Sequence, residues 1–129
     1  MSELDDFLSL PDVSEITEKM TCNIAGKDFT FTVRAITSEE HTDWIGMSTI
    51  VRGGKSDLNI GKYMEFALSS CVIEPKFNDT ELLKKTKCAT AYELMSKKIP
   101  IGIIQDLFAK IQKISGFENL NDYVKEAKN

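Results

Sequence analysis

The sequence has 129 residues, 42% hydrophobic and 28% charged, so it can bury the core of one domain and is not disordered by composition. The net charge is -4, and residues 1–20 hold six acids but only one lysine, so the remainder is nearly neutral. This distribution excludes the basic footprint of a nucleic-acid-binding protein, and no apolar run approaches the ~20 residues of a membrane-spanning helix.

Residues 1–15 predict an acidic N-terminal arm. Leu4, Phe7, Leu8 and Leu10 form a short apolar set that Pro11 ends. The set is compatible with one or two helical turns, or with a loose arm that docks on something. The acids indicate a solvated tail or a docking segment for a basic partner. Because a signal peptide would begin with basic residues and continue with an apolar run, we expect a soluble, cytoplasmic protein.

Residues 16–36 predict a β-hairpin. Apolar and polar residues alternate in two runs, roughly 17–25 and 28–36, which is the period of a strand with one buried face. A hairpin alone is marginally stable in water, so we expect it to lie on helices or to pair with a partner's strand. The face expected to be buried on the helices is Phe29, Phe31 and Val33.

From residue 37 to residue 129 the pattern predicts a helical body. Capping boxes at Thr37–Glu40 and Thr90–Glu93 predict helix starts, Pro100 suits a first helical turn, and Gly116 suits a C-terminal cap. A short helix is expected over about 79–87, and the helix that begins after Thr90 should reach about Lys98. The apolar stripes of the other helices are Trp44, Ile45, Ser48 and Val51; Tyr63, Met64, Ala67, Leu68 and Cys71; Ile101, Ile104, Leu107, Phe108, Ile111 and Ile114; and Leu120, Tyr123, Val124 and Ala127.

The stretch CVIEPKFNDTELL predicts a corner between two helices. Pro75 cannot continue a helix and biases Glu74 away from helical backbone. Asn78 or Asp79 can cap the next helix, with Glu81 placed to complete a capping box with Asn78. We expect Phe77 to be pinned into the core. The predicted fold is therefore α+β, a single domain in which an N-terminal β-hairpin packs on about five or six α-helices.

The long stripe from Ile101 to Ile114 has two readings. It can bury one helix face in the core, or it can form a groove or ridge for a partner helix. We favour the core for most of it.

Candidate catalytic and ligand-binding residues are few. TIVRGGKS matches a phosphate-binding loop at Gly54, Lys55 and Ser56, but Thr49 replaces the first glycine and a helical pattern precedes it. We interpret it as a flexible loop between helices, and SEEHTD around His41 as a solvated first helical turn.

The cysteines also carry no recognisable motif. Cys22, Cys71 and Cys88 are widely spaced and are expected to be buried reduced thiols. We predict no catalytic, cofactor-binding or metal-ligating residues and no enzyme activity.

Five motifs in order resemble one family. They are RAIT-x-E, VIEPKFND-x-EL, YELMSKKI, ISGF and VKEAKN. Together they resemble the XkdN-like tail assembly chaperones of contractile-tailed phages and prophages of Gram-positive bacteria. The resemblance runs from about Arg34 onward and is densest over Cys71–Leu83 and Ile111–Asn129.

The resemblance implies a protein that coats the helical tape-measure protein, keeps it soluble, recruits tail-tube subunits and leaves the finished tail. The implied partners are the tape-measure and tail-tube proteins, reached mainly through apolar contacts, with no nucleic acid and no membrane; self-association stays open. Such a chaperone would stay in the host cytoplasm and be absent from the mature virion. The alternative is a structural tail or baseplate component. A nucleotide-dependent enzyme rests only on the partial phosphate-loop match.

The resemblance further implies that ribosomes can slip back by one nucleotide near the end of the gene and make a longer form that binds tube protein. Ala127, Lys128 and Asn129 can be encoded with a run of adenines that permits such slippage. The alternative is an ordinary helix end in which Lys128 favours the helix dipole.

Overall fold

In the computed structural model of the protein, residues 2–117 are described, and they confirm the α+β class. This part of the chain holds six α-helices, one turn of 3-10 helix at Val13–Glu15 and five strands. In chain order the elements are α1 Glu3–Leu8, β1 Thr17–Ile24, β2 Lys27–Arg34, α2 Ser38–Ser48, β3 Thr49–Arg52, β4 Lys55–Leu58, α3 Ile60–Cys71, β5 Val72–Glu74, α4 Thr80–Thr86, α5 Ala91–Lys98 and α6 Ile101–Ile114.

The predicted N-terminal hairpin is confirmed. β1 and β2 pair antiparallel from Thr17 opposite Arg34 to Ile24 opposite Lys27. The two-residue turn between them has φ of 53° at Ala25 and 85° at Gly26, as the tight turns of twisted hairpins require. α6 packs across the apolar face of both strands, which leaves the threonine-rich face outward.

The predicted corner after Cys71 is wrong in one respect, because a strand lies between the two helices. α3 ends at Cys71, and β5 adds to the open edge of β2 with Val72 opposite Val33. The β-branched pair Val72-Ile73 suits a strand, and the edge of β2 supplies the hydrogen bonds that a helix end would lack. Phe77 is half-buried and its ring centroid lies 6.2 Å from that of Phe31, so its expected place against the core is confirmed.

The helix caps follow the sequence closely. Thr37 and Glu40 form the predicted capping box at the start of α2. α4 is capped by Asp79, whose side chain accepts hydrogen bonds from the backbone of Glu81 and Leu82, so the alternative box with Asn78 does not form. The α5 cap, Thr90, accepts from the backbone of Glu93, while the Glu93 carboxylate accepts from Ala89 N–H and leaves the Thr90–Glu93 box half-formed.

At α6, Pro100 stands just before the helix, at its N-cap, and Gly116 follows the last turn with φ of 93°. The left-handed backbone at Gly116 closes the helix as predicted.

The core lies between the sheet and the helices α2, α3, α5 and α6. Phe31 and Val33 are buried as predicted. The prediction that Phe29 is buried is wrong, since its side chain is 41% exposed. Phe29 lies near the β1–β2 turn, where the opposite residue Cys22 is also only half-buried. The helices cover that end of the sheet less completely than its middle.

The α6 stripe is mostly core. Ile111, Phe108, Leu107 and Ile104 are buried. Ile101 is 60% exposed, because it stands at the first residue of the helix, beyond the packed face, and the prediction that most of the stripe is core is confirmed. The reading of the stripe as a partner groove therefore does not describe α6.

Residues 49–58 form a second β-hairpin that the sequence analysis did not predict. The sequence pattern places Val51 in a helix stripe and the following residues in a flexible loop; this prediction is wrong, because β3 and β4 form a second hairpin here. Gly53 and Gly54, with φ of 57° and 79°, make its two-residue turn. The run Thr49-Ile50-Val51 is β-branched and therefore suits a strand. The predicted helical body thus contains strands as well.

The predicted last helix at Leu120, Tyr123, Val124 and Ala127, and the proposed slippage site, lie outside the described residues. Within residues 2–117, none of the helices combines the length and the apolar composition that crossing a membrane would need.

Candidate interaction surfaces

The N-terminal arm, residues 2–15, carries apolar side chains that nothing in residues 2–117 covers. Ser2 and Asp5 form a capping box that starts α1. Leu4, Phe7 and Leu8 are spaced i, i+3 and i+4, so they share one face of this short helix. They are 65%, 66% and 71% exposed, and every residue of the arm is exposed. The arm therefore projects from the domain and presents an apolar helix face to solvent.

Acidic residues surround that apolar face. At about 100° per residue, Glu3 and Asp5 flank the stripe of Leu4, Phe7 and Leu8, and Asp6 lies on the opposite side of the helix. No lysine or arginine of the described chain lies within ion-pair distance of these three carboxylates. The apolar face therefore lies between two carboxylates and is open to solvent.

The second hairpin, residues 49–58, also projects from the domain. Its residues 50–57 are all exposed, and only Thr49 and Leu58 at its base are half-buried. Val51 on one face is 70% exposed. Since a two-stranded ribbon is marginally stable alone, its position depends on the α2 and α3 ends that flank it.

A groove of about 420 Å³, here called the hairpin groove, lies on the other face of this hairpin. Ile50 and Leu58 supply its apolar part. Arg52 and Lys55 are directly opposite each other in the strand register, beside the Gly-Gly turn. Like charges opposite each other on a sheet repel, and neither has a carboxylate within ion-pair distance in the described chain. The other described residues of the lining are Asp57 and Asn59.

The residues that partly match a phosphate-binding loop do not adopt the geometry of such a loop. Gly54 lies in the hairpin turn, and Lys55 and Ser56 lie in β4. A phosphate-binding loop instead follows a buried strand and opens a helix, where backbone N–H groups converge on the phosphate. The structure therefore brings these residues together as part of the hairpin, with Lys55 in the groove and Ser56 on the opposite face.

His41 is not on a solvated helix turn, as was expected, but half-buried. Its Nδ1 lies 2.6 Å from the Tyr63 hydroxyl, and its ring centroid lies 5.3 Å from that of Phe117. Burial lowers the pKa of His41 below its ordinary value. The residue joins the start of α2 to α3 and to the end of α6, a packing role between three helices.

The three cysteines are free thiols. Cys71 and Cys88 are buried and Cys22 is half-buried. Burial raises the pKa of the Cys71 thiol to about 12, so the reactive thiolate is scarce at neutral pH. In residues 2–117 no three metal-ligating side chains cluster together.

Sequence reasoning missed the hairpin groove, although a signal for it was present. Gly53-Gly54 between a β-branched run and a polar run is a two-residue hairpin signature. The competing helical reading of Trp44 to Val51 concealed it, because Val51 stands three residues after the buried Ser48.

Three comparisons place these surfaces in context. Residues 4–128 match the model of the phage XkdN-like tail assembly chaperone proteins. The fold is similar to the crystal structure of the protein yqbn, with a TM-score of 0.60 over 80% of this chain and 88% of that chain, at 17% sequence identity. No curated protein matches the chain.

Proposed function

The chain belongs to the phage XkdN-like tail assembly chaperone family, and from that premise we propose that it binds the tape-measure protein, keeps it soluble and helps to recruit tail-tube subunits. Membership of the family implies binding to phage tail proteins. The partner is chosen because a tape measure is a long helical protein whose apolar stripes are exposed until the tube encloses it. Covering such stripes is the task of a soluble binding protein.

The observation that carries the proposal is the uncovered apolar face of α1. Leu4, Phe7 and Leu8 are spaced as the anchors with which one amphipathic helix lies against another. Each of these side chains is worth roughly 1.5–3 kcal/mol if burial is complete. The acidic remainder of the arm keeps the complex in solution after the apolar face is covered.

Co-expression with a tape-measure protein tests this. We expect the wild-type chain to raise the soluble fraction of the tape measure, and the triple variant Leu4→Ser, Phe7→Ser and Leu8→Ser to lose most of that effect. The control is Ile101→Ser, which removes a similarly exposed apolar side chain outside the arm. If the triple variant solubilises the tape measure as well as the control does, the arm is not the binding surface.

We also propose that the chain acts in the host cytoplasm and leaves the finished tail. Peptide mass spectrometry of purified particles, with the tape measure as internal standard, separates this from a structural tail or baseplate subunit. We expect particles without the chain. A fixed number of copies per particle would show that it is a structural component.

Tube recruitment is part of the same proposal and includes a longer form made by ribosomal slippage near Ala127. The test is expression of the gene with its native downstream sequence and detection with an antibody to the N-terminal part. We expect a second, longer band that disappears when the adenine run is silently recoded. A single band that recoding leaves unchanged would show that slippage at this site makes no longer form.

A further inference from the structure

We propose that the N-terminal arm of one copy of this chain docks in the hairpin groove of a second copy. Two such contacts exchanged across a two-fold axis would make a closed dimer. The inference concerns the free protein and does not rest on tape-measure binding.

The first argument is the state of the arm in the single chain. Leu4, Phe7 and Leu8 lie together on one helix face and are about two-thirds exposed. An exposed apolar face of this kind marks an interaction site on a soluble protein. Residues 2–15 are all exposed and Ile16 is the first half-buried residue of the described chain, so the arm is accessible to a second molecule.

The second argument is the match in shape between a narrow helix face and the groove. The hairpin groove has an apolar part at Ile50 and Leu58 and a volume of about 420 Å³, within the range of sites that hold small ligands or side chains. α1 is short, so three anchor side chains are all it can offer. A groove beside a projecting hairpin accepts such a helix without rearrangement of the core.

The third argument is charge. Arg52 and Lys55 repel each other across the second hairpin, and Glu3 and Asp5 flank the apolar stripe of the arm, with no ion-pair partner for either set among residues 2–117. Docking of the arm in the groove would place its carboxylates beside the basic side chains of Arg52 and Lys55. Among the described residues that line the groove, Asp57 carries the acid, and its carboxylate accepts the backbone N–H of Leu58.

A second copy is therefore the occupant that the charges favour. The excess of acids over bases lies in residues 1–20, which hold six acids and one lysine, while the remainder is nearly neutral. Complementary charge gives such a contact its orientation, and the apolar side chains give it most of its buried area.

Charge exchange between copies tests the proposal on the full chain. The arm variant is Glu3→Lys with Asp5→Lys, which reverses the two charges beside the apolar stripe and keeps the backbone N–H of residue 5 that the Ser2 side chain accepts. The groove variant is Arg52→Glu with Lys55→Glu. The control is Lys84→Glu with Lys85→Glu, the same change in charge on two exposed lysines of α4. Molar mass is measured by light scattering after size exclusion over a series of concentrations, and circular dichroism verifies the fold of each variant.

We expect the wild-type chain and the control to have twice the mass of one chain, and the arm and groove variants each to have the mass of one chain. A one-to-one mixture of the two variants should regain the double mass, because each contact between unlike copies then joins opposite charges. A contact within one chain could not be regained by mixing.

Three results would overturn the proposal: a wild-type chain that stays monomeric at every concentration, a control that dissociates as fully as the groove variant, or a mixture that remains monomeric. The two proposals are tested separately, because the groove variant retains its apolar arm and can still be assayed for tape-measure solubility. If the wild-type chain self-associates but does not solubilise the tape measure, the result contradicts the proposed function alone.

Discussion

Single residues join the sheet to the helices, and the clearest case is the pair Arg34 and Glu40. Two hydrogen bonds of 2.7 Å connect the guanidinium to the carboxylate, which also accepts the Thr37 backbone N–H. Bonding to Arg34 lowers the pKa of Glu40 below its ordinary value of 4.5, although partial burial opposes this. The pair therefore fixes the end of β2 against the start of α2.

The variant Glu40→Gln should lower the free energy of unfolding by ~1–3 kcal/mol at neutral pH, a typical cost for losing a charged hydrogen-bond partner. Because the folded-state pKa is depressed, the stabilisation is present above 4.5 and is lost as the pH falls through the lower folded-state value. Urea melts at neutral and acid pH measure this. The exposed neighbour Glu39→Gln is the control, and a difference that does not shrink in acid would contradict the assignment.

Phe31 and Phe29 lie on the same face of β2 but differ in burial, at 1% and 41% exposed. Phe31→Ala should cost ~3–5 kcal/mol, as large core deletions do. Phe29→Ala should cost less than half as much, since part of its ring is already in water. Equal losses in a denaturant melt would mean that the helices cover the turn end of the hairpin as fully as its middle.

The sequence predicts caps and faces better than the extent of packing. Thr37, Glu40 and Gly116 act as expected, because a cap depends on a few neighbouring residues. Phe29 and Ile101 belong to the correct stripes but stand at their ends. Periodicity shows which face is apolar, but it does not show where the neighbouring element stops.

Among the elements, the second hairpin depends most on its turn. Gly54 has φ of 79° and open space around its missing Cβ, so Gly54→Ala adds backbone strain without a clash. The left-handed backbone costs other residues roughly 1–2 kcal/mol. Since the hairpin projects from the domain, we expect local opening, with its amides exchanging about 5–30 times faster.

The control for that measurement is Gly46→Ala, in α2. Gly46 also has open space, but its backbone is helical, so alanine should raise stability by ~0.5–1 kcal/mol. Core amides should be unchanged by Gly54→Ala. If their exchange accelerates as much as that of the hairpin, the hairpin is part of the cooperative core.

Long periodic elements could be predicted from sequence, while short ones depend on tertiary context. α3 and α6 follow their stripes, and β1 and β2 follow strict alternation. β5 has three residues and exists because β2 offers an open edge. β3 overlaps a helical period that ends at Val51, and β4 is a short polar strand, so periodicity alone does not predict the second hairpin or the hairpin groove.

At the scale of the whole molecule, a well-packed core supports two projecting elements, the arm and the second hairpin. The core explains stability, and the projecting elements carry the exposed apolar side chains Leu4, Phe7, Leu8 and Val51. Both projecting elements therefore present apolar side chains that lie outside the core cluster.

The central claim is that the chain binds a tape-measure protein through the apolar face of its arm. The most direct measurement is co-purification of the tape measure on the tagged chain, washed at about 0.1 M and about 1 M salt, where exposed charges are screened beyond ~3 Å. We predict equal recovery at both salt concentrations and its loss in the Leu4→Ser, Phe7→Ser, Leu8→Ser variant, with Ile101→Ser unaffected. Recovery that disappears at high salt, or that survives the arm variant, would contradict the claim.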